Sequence, residues 1–141
     1  MATIKFNKGG STPEKSIHLA FMKWVKLYRQ LDRFVLHFPN ESKRTATYGK
    51  LLKDMGMRKG VADLLIAMPR HDYAGAWIEI KNEKGRLSKE QEFFLMDMAT
   101  QGYLAVMTRG LDETINLVEW YCFSVSKEMP EVSWKPNISE H

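Results

Sequence analysis

Two apolar segments that lie close together in the chain, ADLLIAM at residues 62–68 and GAWIEIK at residues 75–81, constrain the fold most strongly. Each has the length and composition of a β-strand, and the connection PRHDYAG between them is typical of a hairpin loop. Side chains alternate between the two faces of a strand, so Glu79 and Lys81 share one face while the flanking isoleucines point to the other. The sequence therefore predicts two neighbouring strands, one of which carries a carboxylate and an ammonium side by side.

Hydrophobic periodicity predicts four helices and two more strands around this pair. The predicted helices cover about residues 13–30, 42–55, 88–101 and 112–123, and the predicted additional strands cover residues 33–38 and 103–108. The order is helix, strand, helix, strand, strand, helix, strand, helix. A mixed β-sheet flanked by α-helices is the natural packing for such an order. We therefore expect an α/β fold.

The length of 141 residues fits one domain. We expect residues 1–141 to form a single domain with its core at about 13–125, a flexible lead-in at 1–11 and a surface tail at 127–141. Cys122 is the sole cysteine, so an intrachain disulfide is excluded, which suits a reducing compartment. The sequence contains no signal-peptide pattern and no apolar run of transmembrane length. We therefore expect a soluble cytoplasmic protein with no membrane partner.

The positive charge is concentrated in one segment. The net charge of +4 is a mild excess, which by itself indicates little about partners. Between residues 41 and 60, six basic residues accompany two acidic ones. The basic residues are Lys43, Arg44, Lys50, Lys53, Arg58 and Lys59. A solvated helix face is the simplest interpretation, but a protein that acts on phosphates would use this segment as a contact surface.

Two carboxylates form the candidate chemical centre. Asp63 stands at the entrance to the first apolar strand, and Glu79 lies within the second. If these strands are neighbours, both carboxylates converge at one edge of the sheet, where they suit a hard ion such as Mg²⁺. The Ile80 carbonyl adds a further hard ligand, and Lys81 is placed to handle a water for attack on phosphorus. The alternative is an ion pair between Glu79 and Lys81 on an exposed sheet face.

At this point the chain resembles the VRR-NUC branch of the PD-(D/E)XK nuclease superfamily, over roughly residues 14–108. The matching segments are GVADLLI, then AWIEIKNEKGRLSKEQ, together with HFPNE at residues 37–41. The matching positions are Gly60, Val61, Asp63, Leu64, Glu79, Ile80, Lys81, Gly85, Leu87, Ser88, Gln91 and Glu14. Two positions depart from the family pattern: Ala62 replaces a proline, and His18 replaces a glutamine.

The resemblance implies a metal-dependent phosphodiesterase on a restriction-endonuclease-like fold. Asp63 and Glu79 would be metal ligands for Mg²⁺ or Mn²⁺, and Lys81 would be the catalytic lysine. Small stand-alone members are similar to phage or bacterial nucleases that act as homodimers on branched DNA such as Holliday junctions. We therefore expect a structure-specific DNA endonuclease. The alternatives are a catalytically inactive DNA-binding protein of the same fold and a nuclease acting on single-stranded DNA or RNA.

Glu14 and Gln91 each have two interpretations. Glu14 forms an S-x-x-E capping box with Ser11, and Gln91 forms an S-x-x-Q box with Ser88. Both positions also fall on the inward side of their predicted helices, where they would reach the metal site. With the family resemblance, we include both among the predicted catalytic residues.

The remaining candidates surround this centre. His18 and His37 are predicted to have structural or phosphate-contacting roles, because the histidines and the cysteine lack zinc spacing. Trp77 shares the face of Glu79, so we expect it to flank the site or to pack beneath the first helix. Basic residues after the second strand would extend the phosphate-binding surface; these are Lys84, Arg86 and Lys89.

Overall fold

The computed structural model describes residues 12–39 and 45–138. Nine elements follow one another along the chain. They are α1 (Glu14–Val25), α2 (Arg29–Asp32), β1 (Val35–His37), α3 (Ala46–Asp54), β2 (Leu64–Ile66), β3 (Ala76–Lys81), α4 (Lys89–Thr100), β4 (Leu104–Arg109) and α5 (Gly110–Phe123). Every predicted strand is present, although β1 and β2 are shorter than the apolar runs that predicted them.

The strands form one mixed sheet in the order β1-β2-β3-β4. β1 pairs with β2, and β2 with β3, in antiparallel fashion, whereas β3 and β4 are parallel and are joined by α4. His71 and Asp72 both have positive φ angles at the tip of the β2–β3 hairpin, as a two-residue hairpin turn requires. The predicted neighbouring pair of strands is confirmed.

Helices cover both faces of the sheet. Ile17 and Phe21 of α1 and Leu117 of α5 pack with Ile78 and other inward residues of the strands in the larger core cluster. On the opposite face, Leu95 of α4 forms a smaller cluster with strand residues. The predicted α/β class, a restriction-endonuclease-like mixed sheet flanked by helices, is confirmed. No helix in residues 12–39 and 45–138 is long and apolar enough to cross a membrane.

The first helix is shorter than predicted. It ends at Val25 instead of continuing to about residue 30, and Tyr28 adopts an extended backbone before the single turn of α2. This change of direction places Leu31 fully inside the core. The predicted end of this helix at about residue 30 was wrong, because no glycine or proline marks the break after Val25. The change of direction there goes together with the burial of Leu31.

α3 also differs from its prediction. It begins at Ala46, where the Thr45 side chain accepts a hydrogen bond from Tyr48 N at 3.1 Å, and the predicted start at residues 42–44 lies outside the described residues. The apolar positions Leu51 and Met55 do not enter a core, because they are 51% and 74% exposed. The helix is amphipathic, but its apolar face is left on the surface of the chain.

Candidate active site

Asp63 lies directly before β2, where the chain enters the sheet. Leu64 pairs with Ile78, so Asp63 stands opposite Glu79 one position further along the antiparallel register. Asp63 Oδ2 accepts a hydrogen bond from the backbone N–H of Ile80 at 2.9 Å. Because β2 begins only at Leu64, this carboxylate replaces the strand carbonyl that the N–H would otherwise meet. The Asp63 side chain is thereby fixed against β3.

Glu79 and Lys81 are buried on the same face of β3. Glu79 is 3% exposed and Lys81 is 7% exposed. Lys81 Nζ lies 4.0 Å from Glu79 Oε2 and 3.8 Å from Glu14 Oε1. Both distances exceed hydrogen-bond length, so the ammonium lies between two carboxylates without a tight contact to either. The ion pair predicted as an alternative is present in loose form, but on a buried face and not on an exposed one.

Gln91 makes two contacts with the two ends of one side-chain amide, and its predicted catalytic role stays a prediction. Its Oε1 accepts from Ser88 N at 2.9 Å while Ser88 Oγ accepts from Gln91 N at 3.1 Å, which completes the capping box of α4. Its Nε2 donates to Glu79 Oε2 at 3.0 Å. The start of α4 is therefore coupled directly to the buried carboxylate of β3.

Glu14 reaches the site from the first turn of α1, where its carboxylate approaches Lys81. The helix begins after Pro13 without a side-chain cap among the described residues. The predicted capping partner, Ser11, lies outside those residues, but Pro13 occupies the N-cap position and Glu14 is the first helical residue. The S-x-x-E capping box, which needs Glu14 as the third helical residue, was therefore wrong. The geometry brings Glu14 to the site.

The two histidines stack beside this centre. The ring centroids of His18 and His37 are 4.1 Å apart. Burial lowers the pKa of His18, the neighbouring His37 lowers it further, and Asp63 opposes the shift. His18 Nε2 is buried and has no hydrogen-bond partner within the described part of the chain. The position that departs from the family pattern thus places an imidazole within electrostatic reach of Asp63.

Trp77 packs beneath α4. Its ring meets Phe94 edge-on at a centroid distance of 4.9 Å and lies 5.4 Å from Phe38. It belongs to the smaller core cluster with Leu95. Of the two placements expected for Trp77, the one beneath the first helix was wrong, because α4 covers the face of β3 that carries Trp77; the other, that Trp77 flanks the site, stays a prediction.

The predicted nucleic-acid contacts fall on exposed surface where they are described. Lys50 and Lys53 are exposed on α3, Arg58 and Lys59 precede Asp63, and further exposed residues follow β3; these are Lys84, Arg86 and Lys89. Lys43 and Arg44 lie outside the described residues. Their contact with nucleic acid stays a prediction.

Gly60 has a structural role that the sequence pattern did not reveal. Its φ angle is +86°, and a Cβ atom at this position would lie 2.6 Å from the carbonyl carbon and oxygen of Glu90. Only glycine tolerates both the backbone conformation and this contact. Gly60 therefore allows the segment that carries Asp63 to lie against the first turn of α4, close to Gln91.

The turn after β3 is a second feature that sequence reasoning missed. Asn82 Oδ1 accepts hydrogen bonds from Gly85 N at 2.7 Å and Lys84 N at 3.1 Å. An asparagine followed three residues later by a glycine is a signal for such a turn. The turn sets the path of the chain from Lys81 to α4.

Asp63, Glu79 and Ile80 carry oxygen atoms of the type that small divalent cations prefer. Asp63 and Glu79 face one another across β2 and β3, and a strand residue directs its N–H and C=O to the same side, so the Ile80 carbonyl faces the Asp63 side. No hydrogen bond from residues 12–39 or 45–138 occupies Asp63 Oδ1. The same residues contain no cluster of three or more acidic, histidine or cysteine ligands. Two carboxylates and a carbonyl suit Mg²⁺, which retains several waters when bound.

The mixed sheet and the placement of Asp63, Glu79 and Lys81 are consistent with the PD-(D/E)XK nuclease-type domain that the sequence resembles. The sequence profile of the VRR-NUC domain matches residues 8–112, so the chain belongs to the VRR-NUC family. A solved structure described as a VRR_NUC domain protein is similar, with a TM-score of 0.69 and 27% sequence identity over 77% of this chain and 87% of the other. No curated protein matches the chain significantly.

Proposed function

We propose that the protein is a Mg²⁺- or Mn²⁺-dependent DNA endonuclease that hydrolyses phosphodiester bonds. The observation that carries this proposal is the placement of Asp63 opposite Glu79, with the buried Lys81 ammonium 4.0 Å from the Glu79 carboxylate. A protein that only binds DNA gains nothing from burying a charged glutamate and lysine, because removing charges from water costs free energy. The VRR-NUC family membership supports the same class of function.

Each residue of the site has a proposed role. Asp63, Glu79 and the Ile80 carbonyl would hold the cation, which when bound would supply positive charge to the phosphate. Lys81 would orient the attacking water and assist its deprotonation. Gln91 would keep the Glu79 carboxylate in place. Glu14, although not a proposed ligand, would hold the end of the Lys81 side chain in place, since its carboxylate lies 3.8 Å from Lys81 Nζ.

The substrate is proposed to be branched DNA, such as a Holliday junction, cut by a homodimer in the cytoplasm. The exposed basic residues of α3, of the segment before Asp63 and of the turn after β3 supply positive charge toward a phosphate backbone. No base-reading motif accompanies them, which favours recognition of DNA shape. Two copies of the site would serve two strands of a branch.

A cleavage panel tests the proposal. Duplex, nicked, flap and four-way DNA, single-stranded DNA and RNA are each incubated with Mg²⁺, Mn²⁺ or EDTA. We expect metal-dependent cleavage that is greatest on a branched DNA. Lys81→Ala should reduce it by at least about 100-fold, the usual range for a lost general acid–base group. Lys23→Ala, which removes an exposed lysine of α1, is the matched control and should cleave normally.

The same panel distinguishes the alternatives. Tight DNA binding without cleavage of any substrate would identify a binding protein and refute the endonuclease proposal. Cleavage confined to RNA or single strands would retain the chemistry but refute the branched substrate. Normal cleavage by Lys81→Ala, with folding checked by circular dichroism, would remove Lys81 from the mechanism.

A further inference from the structure

The turn that follows β3 touches the candidate site on both sides. It leaves the strand at Lys81 and leads to Ser88 and Gln91, whose amide contacts Glu79. At Gly85 the turn approaches the lysine side chain so closely that a Cβ atom would lie 3.1 Å from both Cβ and Cδ of Lys81. The backbone of the turn is therefore one wall of the space that the Lys81 stem occupies.

Arg109 holds this turn from the neighbouring strand. It is the last residue of β4 and pairs with Lys81 in the parallel register. Its Nη1 donates to the carbonyl oxygens of Gly85 at 2.6 Å and Asn82 at 2.8 Å, with a longer contact to Glu83 at 3.4 Å. These are charge-assisted hydrogen bonds, which are stronger than bonds between neutral groups. One nitrogen atom thus joins the two ends of the turn.

The backbone of Arg109 is itself fixed. Its N–H donates to Glu113 Oε2, and the same carboxylate accepts hydrogen bonds from Ser133. The guanidinium therefore projects from an anchored position at the junction of β4 and α5. A rigid anchor is needed if a side chain is to hold a neighbouring residue in a productive geometry.

We propose that Arg109 is a positioning residue of this site, whose guanidinium holds residues 82–85 against the stem of Lys81 and so keeps the Lys81 ammonium beside the Glu79 carboxylate. Arg109 acts through the turn: Nη1 of its guanidinium bonds to carbonyl oxygens of residues 82–85 and not to the proposed cation donors. The inference rests on the proposed function, since the aim of Lys81 matters only for a reaction at phosphorus.

The first measurement needs no catalysis. Hydrogen exchange, followed by mass spectrometry on the full chain, compares the wild type with Arg109→Ala. We expect the amides of residues 82–88 to exchange faster in the variant, while amides of α1 keep their protection. Arg29→Ala, which removes an exposed arginine of α2, is the matched control and should leave exchange at residues 82–88 unchanged.

The second measurement is steady-state cleavage of the best substrate in the panel. Arg109→Ala should lower kcat by about 10- to 100-fold with KM nearly unchanged, because a misplacement of about 1 Å costs up to about 100-fold in rate. Free guanidinium at non-denaturing concentration should restore part of kcat in Arg109→Ala and none in Lys81→Ala. Arg109→Lys should lie between wild type and Arg109→Ala, because an ammonium does not reproduce the planar donor.

Unchanged exchange at residues 82–88 would overturn the inference, and so would faster exchange with an unchanged kcat. A raised KM with normal kcat would assign Arg109 to DNA binding and also overturn it. If Arg109→Ala does not fold, Arg109→Lys is measured in its place. Wild-type hydrogen exchange at residues 82–88 together with a wild-type kcat in Arg109→Lys would then refute the positioning role. If the wild-type protein cleaves no substrate, the proposed function and the catalytic part of this inference both fail, whereas exchange still shows whether Arg109 clamps the turn.

Discussion

Replacing Gln91 with alanine tests the connection between α4 and β3. The substitution removes the bond from Nε2 to Glu79 and the bond from Ser88 N to Oε1. A hydrogen bond to a charged group contributes about 1.5–3 kcal/mol, and a neutral one contributes about 0.5–1.5 kcal/mol. Glu79 is 3% exposed, so the substitution removes a hydrogen bond from a buried carboxylate. We therefore expect the free energy of unfolding to fall by roughly 2–4.5 kcal/mol.

Urea denaturation without divalent metal measures this loss. Ser88→Ala is the matched control, because it removes the side-chain cap of α4 and leaves the contact between Gln91 and Glu79; it should cost about 0.5–2 kcal/mol. A double-mutant cycle with Glu79→Gln isolates the contact itself, for which we expect a coupling energy of about 1.5–3 kcal/mol. A loss in Gln91→Ala no greater than in Ser88→Ala, with coupling near zero, would show that the amide does not hold Glu79.

Three other perturbations have defined outcomes. Gly60→Ala should destabilise the protein by about 1–3 kcal/mol in urea denaturation, because its Cβ would collide with the backbone of α4 at a positive φ angle. The control Gly49→Ala, in the open interior of α3, should stabilise the protein by about 0.5–1 kcal/mol. Burial lowers the pKa of His18 from 6.5, so below that pH the unfolded chain binds more protons and the free energy of unfolding should fall as pH decreases. Denaturation curves of His18→Gln should show a smaller decrease in stability, and a pH dependence identical to that of the wild type would contradict the assigned cause. Burial raises the pKa of Cys122 to about 11 and that of Tyr121 to about 12, so the folded protein retains these protons and its stability should fall as pH rises above about 9. Cys122 in the folded protein should also resist alkylation at pH 8, and labelling as fast as in the unfolded chain would refute its burial.

The sheet could be predicted because its residues carry local signals. Strand alternation in residues 75–81 placed Glu79 and Lys81 on one face and predicted the strand that contains them. The break after Val25 carries no such signal, because it depends on Leu31 reaching a core formed by distant parts of the chain. The same limit applies to α3, whose apolar periodicity indicates a helix but does not say whether another element covers it.

The site was predicted to a similar extent. The spacing between Asp63 and Glu79 pointed to neighbouring strands, and the register places the two residues opposite one another. Sequence alone left two interpretations open for Gln91, a capping box and a contact at the site. It does not show that the oxygen of the amide makes the first contact and the nitrogen makes the second. The contact between Arg109 and the turn at Asn82 spans 27 residues, and no local pattern announces it.

The pairing of Trp134 with Met107 has a consequence for how copies of this chain associate. β4 is an outer strand of the sheet, and Trp134 exchanges two backbone hydrogen bonds with it, at 2.9 and 3.2 Å. Unpaired strand edges invite sheet extension between molecules and aggregation. The polypeptide after α5 shields this edge, so a second copy would have to displace it before adding a strand there. Removal of residues 130–141 should therefore increase self-association of the protein through the exposed edge of β4.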